Sequence, residues 1–264
     1  MPDKLVNATT PQSAHFYWPD GKPCYELPCK SKPGQMRQPT VKDMPKLGIK
    51  PSVTGILKVW AVPGLEAWKQ EQAILAALTL PRKDSESDKD FAARVVEDAR
   101  AEGLAAASKG AAIHDALAAF MLSSAMPEDP ICREAVLAFK PWYSEMPEDV
   151  GIESSFACPA GYGGRIDLAS VGGAGIVVDF KTKDTEPGKK VIGYDEWPLQ
   201  LAAYADGLNM PPGVRLLNLV FSRNEPGRME EIDWTDRRAE FSEGWRICLA
   251  SWKWQHRRWV NKEG

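Results

Sequence analysis

The run Val177-Val178-Asp179-Phe180-Lys181-Thr182 sets an acid and a lysine two positions apart at the end of a β-branched stretch. Residues i and i+2 of a strand face the same side, so Asp179 and Lys181 should project together from its end. Upstream, Gly161-Tyr162-Gly163-Gly164-Arg165-Ile166-Asp167 reads as a second strand carrying another acid, and Glu153 lies on a strand before that. Downstream, Gln200 and Tyr204 are four apart and share one face of a helix. Carboxylates such as Asp167 and Asp179 are hard oxygen ligands suited to Mg2+ or Mn2+. An ion held there can bind a scissile phosphate and acidify a water. Lys181 can orient the attacking water or supply positive charge where the transition state becomes negative. Glu153 can hold a metal-bound water or share a second cation. The imidazole of His114 would complete the ligand set and tilt it toward Mn2+. The chemistry implied is metal-dependent phosphodiester hydrolysis.

Each fragment has a plainer reading. An acid-x-lysine at a strand end is often a surface pair, Asp167 can cap a turn, and Gln200 with Tyr204 can simply pack. A lone histidine beside an apolar helix face, as in Ala111-Ala112-Ile113-His114, is more often a packed residue than a ligand. The combination is the signal, because chance seldom supplies all of it at these offsets.

The elements that must position these groups can be read along the chain. Residues 1–50 form an extension rich in Pro, Gly and Lys, with two short strands around an Asp20-Gly21 turn and a segment from 28 to 50 expected to run over the surface. A helix opens near Ser52 or Thr54 as N-cap, and another spans 65–80. A charged linker at 81–89 precedes an alanine-rich helix over 90–124, expected to bend near Gly110, and a helix over 130–145. Strands follow at 150–158, 162–171 and 175–181, then a helix at 195–208, strands at 214–223 and 229–234, and a closing helix from Thr235 to Trp259. This order predicts an α/β (α+β) fold with a mixed central sheet flanked by helices. The division expected is an extension over 1–50, a helical N-terminal lobe over 51–148 contributing His114, and a core over 149–264.

The 264 residues, 44% hydrophobic and 26% charged, can bury a full core. No apolar run approaches the ~18 residues of a membrane span, and the first residues lack the apolar core of a signal peptide. The cytosol, of a bacterium or of a phage-infected host, is the expected setting, with no membrane partner. Five cysteines without a CxxC pair point to reduced thiols. A net charge of −3 leaves phosphate contact to local basic patches. One is Lys181, Lys183, Lys189 and Lys190. Another is Lys253, His256, Arg257 and Arg258, interleaved with Trp252, Trp254 and Trp259; these tryptophans can stack on bases, while the seven-residue interval of Trp245, Trp252 and Trp259 fits a core equally well.

As a set, Gly110 to His114, Glu153, Gly164 to Asp167, Asp179-Phe180-Lys181-Thr182 and Gln200 to Tyr204 resemble the PD-(D/E)XK nuclease superfamily in its RecB-like exonuclease branch. Ser52-Val53-Thr54-Gly55-Ile56-Leu57, followed by Pro63-Gly64-Leu65 and Trp68, is similar to the start of the mitochondrial genome maintenance exonucleases and their phage relatives. The resemblance covers roughly residues 50–210. It implies a restriction-endonuclease-like core and Mg2+- or Mn2+-dependent cleavage of DNA with a preference for single-stranded ends, in replication, recombination or repair. It implies His114, Asp167 and Asp179 as metal ligands and Lys181 as catalytic, with Glu153 assisting. Gln200, Tyr204, Arg165, Lys183, Ser52 and Thr54 would support the site or touch the DNA. Iron–sulfur members place a trio of cysteines after the core; only Cys248 lies there, so no cluster is expected. A flap-type endonuclease and a catalytically silent DNA-binding module are the alternatives.

Overall fold

The computed structural model describes residues 6–7, 14–60, 63–147, 149–173 and 175–260. In chain order the strands and helices are β1 (Val6–Asn7), β2 (Phe16–Tyr17), β3 (Pro23–Cys24), β4 (Leu27–Pro28), β5 (Met36–Arg37), α1 (Met44–Leu47), β6 (Lys50–Pro51), α2 (Val53–Leu57), α3 (Pro63–Thr79), α4 (Asp88–Ser123) and α5 (Pro130–Tyr143). They continue with β7 (Gly151–Cys158), β8 (Tyr162–Ser170), β9 (Ile176–Lys183), α6 (Glu196–Gly207), β10 (Arg215–Ser222), β11 (Met229–Asp233), α7 (Arg238–Gln255) and α8 (Arg257–Val260).

Runs such as Leu216-Leu217-Asn218-Leu219-Val220-Phe221 are buried on both faces, the pattern of a central strand covered by helices on each side. The main sheet has the order β1-β7-β8-β9-β10-β11. Only β9 and β10 run parallel, from Arg215↔Ile176 to Ser222↔Lys183, and α6 makes the crossover between them. On one face α4 and α5 bury Ile113, Leu117, Val136 and Phe139 against Leu168, Val178, Phe180, Leu219 and Phe221. On the other, α2, α6 and α7 bury Ile56, Leu201, Tyr204, Trp245 and Trp252 against Phe156, Ile166, Val177 and Leu216. Each fully buried large side chain contributes roughly 1.5–3 kcal/mol. The mixed sheet flanked by helices is as the sequence order predicts.

Three expectations change. Gly110 does not bend its helix: α4 is continuous from Asp88 to Ser123. A Cβ at Gly110 would lie 2.5 Å from Thr182 Oγ1, so the glycine marks where α4 presses on β9. Residues 28–50 do not simply wander. β4 pairs with β5, Ile49 is buried with Phe16, Cys24 and Leu27, and Arg37 grips Asp43 through both guanidinium nitrogens. That hydrogen-bonded guanidinium holds the Asp43 carboxyl well below the usual carboxylate range. Finally, Trp245 and Trp252 are core, with His256 stacked on Trp252 at 4.2 Å, and Trp254 is the closing helix's exposed tryptophan, with the Arg257 guanidinium 4.5 Å from its ring. All five cysteines are free, and four are buried. No described helix is long and apolar enough to cross a membrane.

The extension is spliced onto the core at the start of β8. β2, β3 and β6 form a small sheet, and Ser52 bridges to Gly163 in parallel. Lys50 Nζ donates to the Cys158 carbonyl at 2.7 Å. A Cβ on Gly163 would meet the Phe156 carbonyl oxygen at 2.6 Å and Tyr17 Cβ at 2.9 Å, neither able to rotate away. Gly163→Ala should therefore cost about 1–3 kcal/mol through overpacking. Urea unfolding that matched the wild type would contradict this close approach.

Candidate functional site

β8 and β9 pair only as far as Leu168↔Val178. Beyond that rung the Asp167 carboxylate replaces a backbone partner: its Oδ2 accepts the Phe180 amide hydrogen at 2.6 Å. The two strands thus part where Asp167 and Asp179 stand. The cleft that opens there has a volume of about 240 Å3. Its walls include Asp167, Asp179, Lys181, Gln200, Tyr204 and His114, with Arg165, Ser52, Thr54 and Tyr17 at the extension's side.

Asp179 is the most constrained group. Lys181 Nζ lies 2.6 Å from its Oδ2, Gln200 Nε2 donates to Oδ1 at 2.7 Å, and Asn218 Nδ2 donates to Oδ2 at 3.1 Å and to the main-chain oxygen at 3.0 Å. Gln200 uses the other end of its amide to accept from Lys181 Nζ at 2.9 Å, and its Nε2 also reaches the Tyr204 hydroxyl at 2.8 Å. The pair Gln200 and Tyr204, one helical turn apart on α6, thereby orients both the acid and the lysine. Burial pushes the Asp179 carboxyl up; Lys181 opposes this and Asp167 adds to it. Burial likewise drives the Tyr204 phenol well above its ordinary value, so it stays protonated.

His114 projects from α4 into this cleft. Its Nδ1 is 3.8 Å from Asp167 Oδ2, and its ring meets Phe180 edge-on at 5.9 Å. Glu153 lies below the cleft, not on its wall. It breaks the run of β7 with a left-handed φ of 48°, opposite Asp167 in the register set by Ile152↔Leu168 and Ser154↔Ile166. Arg165 Nε approaches Glu153 Oε2 at 3.0 Å without a hydrogen-bonding angle, and that oxygen is buried without a hydrogen-bond partner. Burial, then the Asp167 charge, pushes the Glu153 carboxyl up to about 8 despite Arg165.

The donor types fit a hard divalent cation. Two carboxylates and an imidazole border one cleft, a set of hard oxygen donors and a borderline nitrogen. Among the described residues no three His, Cys, Asp or Glu side chains already converge as a cage. The Lys181 ammonium supplies the positive charge beside Asp179.

Of the remaining sequence candidates, Ser52 caps α2 by accepting the Gly55 amide at 2.9 Å, and its hydroxyl is 3.3 Å from that of Thr54. Lys183 does not join the cleft. It follows Lys181 on the same strand but lies past the edge, where Nζ donates to the Ile192 carbonyl at 3.1 Å. Tyr17, on the cleft wall, and Asn218, which holds Asp179, were not among the sequence candidates. Tyr17 comes from the extension, and nothing local to it signals a site. Asn218 was legible as the one amide inside a hydrophobic strand; Trp234 Nε1 holds its Oδ1 at 2.9 Å, fixing which end faces Asp179.

No family model matches the chain, and no curated protein matches it. Among solved structures, one described as the crystal structure of SSO0001 aligns with 69% of this chain and 85% of its own, at 12% identity and a TM-score of 0.28. So slight a likeness carries no argument about function.

Asn218→Leu would strand the Trp234 donor and remove two hydrogen bonds from Asp179. It should lower stability by about 1–3 kcal/mol, read by urea unfolding. An unchanged midpoint would mean that Asn218 does not hold the acid.

Proposed function

We propose that this protein is a metal-dependent nuclease with a PD-(D/E)XK-type core. The observation that carries the reading is the convergence of Asp167, Asp179, Lys181 and Gln200, from two adjacent strands and one helix, with His114 from the opposite layer, in a single cleft. A Mg2+ or Mn2+ ion held by Asp167, Asp179 and His114 would bind a phosphate oxygen and lower the pKa of a water.

The chain's own residues have separable tasks. Asp167, fixed by the Phe180 amide, and Asp179, fixed by Gln200 and Asn218, present carboxylates without further reorganisation. Lys181 is held within reach of both Gln200 and Asp179 and offers its ammonium to charge developing on a phosphate. DNA is the proposed substrate, in replication, recombination or repair. A preference for strand ends is part of the proposal; α3 packs on α4, the helix that carries His114.

End-labelled linear and circular DNA, single- and double-stranded, incubated with Mg2+, Mn2+ or EDTA, tests the reading. Linear single strands should be degraded with either metal and spared in EDTA. Asp179→Asn and Lys181→Ala should each slow cleavage by about 100-fold or more with the fold retained by circular dichroism. Undiminished hydrolysis by either variant would overturn the assignment. Equal cutting of circles would favour an endonuclease, and binding without cleavage under every condition a silent module.

A further inference from the structure

Residues 184–195, between β9 and α6, have no regular secondary structure, yet they are bound down along their length. Asp184 accepts from Nε and Nη2 of Arg223, at 3.1 and 2.9 Å. Thr185 exchanges main-chain bonds with the Asn224 side chain at 2.8 and 3.0 Å. Arg228 donates to the Glu186 carbonyl at 2.8 Å and to that of Lys189, and the Val191 amide donates to Glu230 at 2.9 Å. Gly193 lets the chain lie directly on Trp234 and Trp197, since a Cβ there would meet Trp234 at 2.6 Å. Long irregular loops held rigid by buried polar partners usually present something.

What this loop presents is cationic and aromatic. Lys181 Nζ lies 5.8 Å from the Trp197 ring centroid, Tyr194 meets Trp197 edge-on at 5.2 Å, and Lys183 Nζ sits 4.4 Å over Tyr194. Cation and ring therefore alternate from the cleft outward. Beyond Lys183 a second depression of about 220 Å3 is lined by Lys189, Lys190 and Ile192. Tyr194 is 44% exposed and Ile192 76% exposed, while Trp197 is buried, so Tyr194 is the ring open to a ligand. Asp184 is engaged by Arg223, and the Glu186–Lys189 pair at 2.5 Å is well exposed, weak enough for a phosphate to displace the carboxylate from Lys189.

We propose that residues 183–194 form a track for the single-stranded part of a nucleic acid outside the cleft, with Tyr194 stacking on a base and Lys183, Lys189 and Lys190 contacting phosphates. The track rests on the nuclease reading and adds a subsite to it. A flat exposed ring flanked by ammonium groups suits a strand whose bases are unpaired, because stacking is indifferent to base identity and a duplex hides its ring faces.

The test is fluorescence anisotropy with labelled oligothymidylate and a duplex of equal length, in EDTA so that the strand survives. Tyr194→Ala should weaken oligothymidylate binding about tenfold or more, Tyr194→Phe should restore it, and the duplex should be little affected. Lys189→Ala with Lys190→Ala should lower the slope of log affinity against log salt by about 0.7 per lost contact. Wild-type protein that binds no oligonucleotide would overturn the nuclease reading itself. Wild-type binding that both variants leave unchanged would overturn the track alone. Displacement of the oligonucleotide by polyglutamate at equal charge concentration, with Tyr194→Ala indifferent, would also overturn it and assign the lysines to an acidic protein partner.

Discussion

A carboxylate buried in the middle of the sheet governs this molecule. Removing a charge from water costs several kcal/mol unless partners replace the lost solvation, and Asp179 has three: Lys181, Gln200 and Asn218. They come from β9 itself, from α6 and from β10, so the parallel pair and its crossover helix must all be in place before the acid is tolerated. Trp234 extends the constraint to the segment after β11 by fixing the Asn218 amide. The most expensive group in the fold is thus also the one aimed at the cleft.

The second constraint is the parting of β8 and β9. Had their ladder continued past Leu168↔Val178, Asp167 and Asp179 would be two acids on a closed sheet. The Asp167 side chain ends the ladder by taking the Phe180 amide, so one residue both opens the cleft and lines it. On the opposite layer, Gly110 brings α4 close enough to β9 for His114 to reach that opening. Glu153, opposite Asp167 in the register, takes a left-handed backbone conformation and lies beside Arg165. In the proposed nuclease a divalent cation would offset the charges of Asp167 and Asp179.

The extension is more than an appendage. Tyr17, with Ser52 and Thr54 just after the extension, walls the cleft, and the Gly163 contact and the Lys50 bond to Cys158 lock this segment to β8. The loop after β9 is tied to the β10–β11 connection. The cleft itself is assembled from segments between Ala14 and Tyr204 that lie far apart in the chain.

By itself the sequence determined the long strands, their order with the helices, and the grouping of Asp167, Asp179, Lys181, Gln200 and Tyr204, because period-two and helical spacing place near neighbours without tertiary information. It also held the histidine, but not its distance from Asp167. Only the tertiary structure decided that Gly110 is a contact and not a bend, since a glycine's need is set by what lies opposite its missing Cβ. Only it turned Lys183 away from the cleft, because its ammonium is taken by the Ile192 carbonyl in the loop after β9. And only it brought in Tyr17, which nothing local marks as a cleft residue, and gave Asn218 its partner Asp179, far along the chain. Spacing reports what one element can present; which groups share a buried charge is settled by the packing of several.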